Sequence, residues 1–298
     1  MTLPSAGDPG GVTAGSLEVP TVTYVARIVK AGTDSVPTYT AAVVPISAVL
    51  ITCDEERNLP RALASVAFCD EVVVLDGGSR DRTPELARAA GARVETSTPW
   101  PGFVEQRNRA VAAARHDWVL AIDADERVTD ALREEIRAVA GRGFAHYGYR
   151  IPRLAFYLGR WIKGTDWWPD HQLRLFDRRR GRWEGGLIHE SVRVEGTVGR
   201  LHACMEHFTY DDISDHLTTI DRYTTLWAEQ ALQEGRRSGP VDPAIAAVWA
   251  FLRNYVVRRG VMLGEAGLTV SALNSYYTYV KLAKLRERRN GFPVPPRR

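Results

Sequence analysis

Cysteine is scarce in this chain. Cys53, Cys69 and Cys204 stand far apart, are odd in number and form no C-x-x-C pair, which argues against a disulfide scaffold and against a thiolate zinc site. A reducing, cytoplasmic compartment is expected. Strong charge is missing too: 39 basic and 36 acidic residues leave a net charge of only +3, too weak a field to select nucleic acid as a partner. The excess of Arg over Lys is compatible with coding composition alone. The longest uncharged run, residues 35–53, is broken by Pro37 and Pro45 and diluted with Thr and Ser, so it makes a poor transmembrane helix. No basic n-region precedes an apolar h-region at the N-terminus, and no signal peptide is expected. The protein is expected to be soluble or peripherally attached, at most at the inner face of a membrane. Neither G-x-G-x-x-G nor G-x-x-x-x-G-K-[ST] follows any β-like run, which weakens dehydrogenase and P-loop readings. There is no internal repeat.

Size and alternation are what the chain does have. Its 298 residues, 45% hydrophobic and 25% charged, suffice for one large domain or a domain with an appendage. Residues 1–44 read as an extension, partly disordered because its start is rich in Gly, Pro, Ser and Thr, with one candidate strand in "VPTVTYVARIVKAG". From Ile46 the pattern is regular. "ISAVLIT" is an apolar β-rich run, and Leu59, Leu63 and Val66 then recur at helical spacing, with Asp54 a candidate cap and Pro60 in the first turn. "EVVVLD" leads through "GGSRDRT" into "PELARAAG"; "ARVET" leads into "GFVEQRNRAVAAA"; "WVLAID" leads into a helix near 129–140. Four such alternations imply an α/β fold with a largely parallel sheet.

Parallel strands are covered on both faces and read as solid apolar runs, as "VVVL" and "WVLAI" do. Open sheets of this kind bind ligands beyond the carboxyl ends of their strands. There the chain carries "TCDEE", "DGGS" and "DADE". Residues 141–212, dense in aromatics, Arg and Gly, suggest strands and long loops that form a second half of the site. From residue 213 three amphipathic segments read as helices.

Asp123 and Asp125 form an Asp-x-Asp pair at a strand end, where one or both can meet a hard divalent cation, Mg or Mn, whose remaining positions go to water and phosphate. An acidic helix cap is the competing explanation, and the part of Glu126 is left open, a cap being one reading of it. Asp76 is the natural acceptor for a base N–H or a ribose hydroxyl, with Gly77, Gly78 and Ser79 permitting a tight turn. Thr52 and Glu55 lie where they can touch a nucleotide, although capping by Thr52 or Asp54 competes. Trp161, Trp167, Trp168 and Trp183 cluster where a sugar would be roofed, each also open to simple core packing. "DRRRGR" reads as a solvated turn. "RNYVVRRG" after the apolar "AIAAVWAFL" permits interfacial binding as readily as a docked C-terminal helix.

The stretch from "ISAVLITCDEERNLP" to "WVLAIDADERV", continued by "WWPDHQLRLFDRR", "RWEGGLIHE" and "MEHFTY", resembles family 2 glycosyltransferases. It is most similar to the subgroup of the lipopolysaccharide core β-1,4-glucosyltransferases, over about residues 45–290. The resemblance implies a GT-A-type, Rossmann-like, mostly parallel sheet flanked by helices with a C-terminal helical appendage. It divides the chain into a glycosyltransferase domain at 45–212, with nucleotide half 45–140 and acceptor half 141–212, and a helical region at 213–298. It implies metal-dependent, inverting transfer of a sugar from a nucleotide diphosphate donor, a UDP-hexose such as UDP-glucose, to a glycan, lipid-linked or small-molecule acceptor. Peripheral membrane contact and a homo-oligomer are both compatible with it. By the same resemblance Asp76 contacts the base, Asp123 and Asp125 are the metal pair, and Gln106, Arg107 and Asn108 lie near the nucleotide unless they are an exposed helix face.

Inversion by direct displacement needs a general base at the acceptor hydroxyl. Glu190, placed about where related enzymes carry an acidic base, is the first candidate and Asp170 the second. His189 and His207 read first as structural histidines, with His207 able to approach the metal or diphosphate. Gln172 and Arg174 resemble a weakened acceptor-side motif in which Arg174 pairs with phosphate. Two rivals stand beside this reading. An aspartate-nucleophile phosphatase would place its Asp-x-Asp on an early strand followed by Thr or Val where Arg127 stands. A catalytically silent sugar-nucleotide-binding protein would not need both metal carboxylates and an acceptor-side acid.

Overall fold

Every residue of the apolar run Ile46–Thr52 is buried, and it forms β1. The computed structural model describes residues 43–186 and 190–291. The candidate strand of the N-terminal extension, and His189, lie outside the described residues. A strand buried on both faces needs cover on both, and the helices that follow supply it. In α1 (Leu59–Val66) Pro60 sits in the first turn, where its missing N–H costs nothing, and Leu59, Ala62, Leu63 and Val66 are buried. Then come β2 (Glu71–Asp76), α2 (Thr83–Ala89), β3 (Arg93–Thr96), α3 (Phe103–Ala113) and β4 (Trp118–Ala121). β1 pairs in parallel with both β2 and β4, and β2 with β3. The order β3-β2-β1-β4 reverses at β1, so a crevice opens beyond the carboxyl ends of β1 and β4.

Two local expectations change. Asp54 does not cap α1: it sits at φ 57° and accepts a hydrogen bond from the Arg80 N–H at 2.7 Å, while Asn58, at the cap position, makes no side-chain bond to the helix N–H groups. Nor is Glu126 a cap. It opens the short strand β5 (Glu126–Val128), and the cap of α4 (Asp130–Gly141) is Thr129, which accepts from the Leu132 N–H.

The second half is built of β6 (Gly148–Tyr157), β7 (Arg160–Trp161), a 3-10 turn at Thr165–Trp167, β8 (Asp170–Asp177), β9 (Gly181–Glu184), β10 (Ser191–Val194), β11 (Val198–Arg200) and β12 (Met205–Phe208). β8 lies antiparallel between β4 and β6. The sheet then continues through β6 and β12 to β5, so its far half is mixed. β9 and β10 form a separate hairpin. Apolar clusters cover both faces, one around Leu50, Leu120 and Ile136, the other around Val49, Phe176 and Trp183.

The three C-terminal segments are helices: α5 (Ile213–Gln233), α6 (Asp242–Leu252) and α7 (Gly264–Asn290), with a π-helical turn at Arg253–Val257 and a 3-10 turn at Gly260–Leu263. They pack against the second half of the sheet. The Arg160 guanidinium donates to the Leu263 carbonyl at 2.6 Å, the Asp166 N–H to Asn254 Oδ1 at 2.8 Å, and Trp167 Nε1 to Asn274 Oδ1 at 3.2 Å. Among the described residues no helix is long and apolar enough to cross a membrane.

Candidate active site

A cleft of about 970 Å³ opens where the strand order reverses. Thr52, Cys53 and Glu55 line it from the end of β1, Trp100, Phe103 and Arg107 from around α3, and Asp123, Ala124 and Asp125 from the turn after β4. The opposite wall is made by Arg153, Gln172, Glu190 and His207, and by side chains of α5 and α7.

Its floor is a chain of alternating charges. Asp123 Oδ1 accepts from Arg107 Nη1 at 2.6 Å and Oδ2 from Arg174 Nη2 at 2.6 Å. The same Arg174 nitrogen donates to Glu126 Oε1 at 2.7 Å, and Glu126 is wholly buried. Arg153 bridges from Glu126 at 3.3 Å to Asp170 at 2.7 Å. Three guanidiniums and three carboxylates thus neutralise one another in a largely buried cluster, and removing one partner would leave a charge there without its counter-ion. Burial alone would raise the Asp123 carboxyl, but Arg107 and Arg174 outweigh it and hold the group well below the usual carboxylate range. Burial lowers and Asp123 and Glu126 raise the Arg174 guanidinium, with the net direction upward. The second Glu126 oxygen accepts the Asp123 N–H at 2.9 Å, which pins the turn that presents Asp123 and Asp125.

Asp125 differs from Asp123. No guanidinium pairs with it among the described residues, and its Oδ2 lies 3.1 Å from His207 Nε2. The register of β12 against β5 sets His207 opposite Glu126, the Phe208 N–H donates to the Asp125 carbonyl at 2.9 Å, and the Thr209 hydroxyl lies 3.1 Å from the other ring nitrogen. One hard anionic oxygen and one imidazole nitrogen on an open wall fit a divalent cation. Bonds of about 2.1 Å at a right angle would set two donors about 3 Å apart, close to the separation found. No group of three or more His, Cys, Asp or Glu could hold an ion alone among the described residues, so the rest of any shell would fall to substrate and water. Glu55, on the facing side, has its carboxyl pushed up by burial, with Asp125 and Asp123 adding to the effect.

Asp76, at the end of β2, is buried. Its Oδ2 accepts the N–H groups of Gly78 and Ser79, both at 2.9 Å, and its Oδ1 accepts the hydroxyls of Ser79 at 2.5 Å and Thr52 at 3.2 Å. The carboxylate is spent on shaping its own turn. Over that turn lies Trp100, so close that a Cβ on Gly77 would stand 2.4 Å from its ring; Phe103 meets Trp100 edge to face at 5.3 Å. Gln106 is wholly buried and finds no hydrogen-bond partner among the described residues, while Asn108 exchanges two bonds with the Trp183 backbone. This segment is therefore no exposed helix face. Arg107, stacked over Trp183 at 4.5 Å, is its one member on the cleft.

On the opposite wall the two candidate bases separate. Asp170 Oδ2 is held by Arg153 and its Oδ1 by Gln172 at 2.6 Å, and Asp170 does not line the cleft. Glu190 does line it and has no ion pair or hydrogen bond among the described residues. Burial pushes the nearby Tyr223 phenol up, and Glu190 adds to the shift. Arg174 lines the cleft; its Nη2 serves Asp123 and Glu126, while its Nε and Nη1 have no partner among the described residues. Of the four tryptophans singled out in sequence, Trp167 and Trp183 line the cleft, whereas Trp161 packs on Phe156 and Phe208.

Several lining residues escaped the sequence reading. Trp100 could have been suspected from Gly77, since a glycine at a tight strand end often makes room for a ring. Arg153, Tyr223, Asn274 and Tyr277 carried no local signal, because helical or strand periodicity marks them as ordinary half-buried positions.

The profile described as glycosyl transferase family 2 matches residues 47–193. An uncharacterised glycosyltransferase of Rickettsia typhi is 30% identical over 255 residues, covering 81% of this chain and 87% of its own length. The lipopolysaccharide core biosynthesis glycosyltransferase LpsC of Rhizobium meliloti is 29% identical over 251 residues, covering 82% and 93%. Among solved structures, glucosyl-3-phosphoglycerate synthase from Mycobacterium tuberculosis with Mn2+ and UDP-glucose is 28% identical with a TM-score of 0.33. That overlap covers 40% of this chain and 46% of that one. It spans less than half of the solved chain.

Proposed function

From the premise that the chain belongs to glycosyl transferase family 2, we propose that it transfers a hexose from a nucleoside diphosphate donor to a saccharide hydroxyl, with inversion at the anomeric carbon. The observation that carries this reading is the pairing of Asp125 with His207 on one side of an open cleft and a carboxylate, Glu190, that has no partner among the described residues on another wall of it.

Trp100 and Phe103, beside the end of β1, offer the flat apolar faces that a nucleobase and ribose can pack on. Arg107 supplies the diphosphate with a guanidinium already fixed by Asp123. Asp125 and His207 would hold a divalent cation, which when bound neutralises charge on the leaving diphosphate. Asp123 plays a positioning part in this scheme, since direct ligation by it would require displacing Arg107 or Arg174. Trp167 and Trp183 flank the space left for sugar rings.

In the transfer step Glu190 accepts the proton of the acceptor hydroxyl. The freed oxygen pair forms a bond to the anomeric carbon on the face opposite the diphosphate, the bond from that carbon to the diphosphate oxygen breaks, and the nucleoside diphosphate leaves with the electron pair. Asp170, clamped by Arg153 and Gln172, holds the acceptor-side strand instead. The name of the LpsC relative supports an envelope glycan as the acceptor.

Rates of transfer from UDP-glucose and other nucleotide sugars with Mn2+ test the assignment. Glu190→Gln is expected to lower kcat by roughly 100-fold or more, the contribution typical of a general base, with binding of nucleotide unchanged. Asp170→Asn should act chiefly on stability. Wild-type turnover in Glu190→Gln would remove the assigned base.

A further inference from the structure

Of the twenty large apolar side chains exposed among the described residues, ten lie between Val241 and Leu268. They are ordered. Ile245, Trp249, Leu252 and Val256 are spaced as one face of a helix, each between 46% and 64% exposed, and make a stripe about 16 Å long at 1.5 Å per residue. Val257 and Met262, 65% and 77% exposed, extend it onto the turns that follow. α6 carries no charge between Asp242 and Arg253; its other face is covered by α7, as the Ser275 hydroxyl bonded to the Ala247 carbonyl at 2.8 Å marks. Among the described residues nothing covers the outer face.

Its border is basic. Arg237 precedes α6 and Arg253, Arg258 and Arg259 follow it, against Asp242 and Glu265 alone. Arg253 and Arg258 lean back on Asp166 at 2.5 and 3.8 Å, whereas Arg237 and Arg259 make no ion pair among the described residues. A tryptophan-bearing apolar stripe bordered by guanidiniums matches the boundary of a bilayer, where apolar side chains enter beneath the headgroups and cations meet lipid phosphate. A second copy of the chain suits it less. A two-fold contact would set this basic border against itself.

We infer that α6 and the two turns after it dock the protein on the surface of an anionic lipid bilayer. The docking face stands directly behind the cleft. Asn254, on the inner side of the π-helical turn, accepts from Asn274 Nδ2 at 2.8 Å, and Asn274 in turn accepts from Trp167 at 3.2 Å; Asn274 and Trp167 both line the cleft. Docking there holds that wall of the site next to the lipid surface. The inference does not depend on the identity of the donor or of the general base.

The full chain is sedimented with vesicles of phosphatidylcholine alone and of an equimolar mixture with phosphatidylglycerol, in low and high salt. Binding is expected to the anionic vesicles only and to weaken as salt rises. Trp249→Glu should reduce it by about tenfold or more, since it removes the deepest apolar anchor and adds a repelled charge, and Arg259→Ala by about fivefold, the worth of one basic residue near an anionic surface. Circular dichroism and melting check that each variant folds. Should Trp249→Glu misfold, the double variant Val257→Glu with Met262→Glu, outside α6, carries the same expectation. Failure of the wild type to bind anionic vesicles, equal binding to neutral ones, or unchanged binding by folded Trp249→Glu would overturn the inference. So would a wild-type dimer that Trp249→Glu dissolves without any vesicle binding.

Discussion

Arg174 governs what the two aspartates after β4 can each do. By holding Asp123 and Glu126 on one nitrogen, at 2.6 and 2.7 Å, it keeps the first carboxylate occupied and leaves Asp125 to face His207. Neutralisation of this kind is costly to build and more costly to break, which is why a pair of acids that looks symmetric in sequence is asymmetric in space. His216 shows a second effect of burial. Its ring stacks on Tyr210 with centroids 4.0 Å apart, its Nδ1 lies 3.1 Å from the Tyr157 hydroxyl, and burial pulls its pKa down from 6.5 to about 4. The folded protein therefore refuses a proton that the unfolded chain accepts. Stability from this residue is complete above about pH 6.5, falls as pH drops toward 4, and stops falling once both states are protonated. Urea midpoints measured across that window should decline more steeply for the wild type than for His216→Phe, which cannot titrate. Parallel curves would show that His216 is not held neutral.

At the level of elements, the contact of α7 with the 3-10 turn before it is the tightest backbone approach. A Cβ on Gly267 would stand 1.8 Å from the Gly260 carbonyl oxygen and 2.8 Å from Leu263 Cβ. In an open helix, Gly→Ala stabilises by roughly 1 kcal/mol. Here the sign should reverse: Gly267→Ala is expected to destabilise by about 1–3 kcal/mol, the usual cost of overpacking, because α7 must move off the turn. Chemical denaturation reads the difference, and a stabilised variant would contradict the packing described. The elements also show what could be read beforehand. β1, β2 and β4 announced themselves as solid apolar runs and the C-terminal helices by their periodicity, since burial on two faces or one leaves a direct imprint on composition. β8 did not reveal its place between β4 and β6. Its sequence "DHQLRLFD" is polar where it borders the cleft, and strand partners are chosen by the fold as a whole. Asp123, Asp125, Glu190 and His207, singled out in the sequence at a strand end or in motifs, all line the cleft. The capture of Asp76 by its own turn was not legible, because an acid offered to a ligand and an acid spent on neighbouring N–H groups have the same sequence.

Across the whole molecule, the parallel half of the sheet supplies a crevice, the mixed half supplies the wall facing it, and the C-terminal helices close the side away from β1. The wall that α5 and α7 complete is the one that carries Glu190; on the proposed reading, acceptor selection would therefore belong to the C-terminal part of the chain. The central claim is that Asp125 and His207 make the cleft a cation-assisted site for a nucleoside diphosphate. Thermal unfolding with UDP, GDP, CDP or dTDP, each with and without Mn2+, tests it most directly, since a ligand at about 100 times its Kd adds about 2.7 kcal/mol to apparent stability. At least one nucleotide should raise the melting temperature more with Mn2+ than without, and Asp125→Asn should abolish that increment while its melting temperature without ligand stays near the wild-type value. An increment of the same size in Asp125→Asn, or no Mn2+-dependent shift with any of the four, would contradict the account.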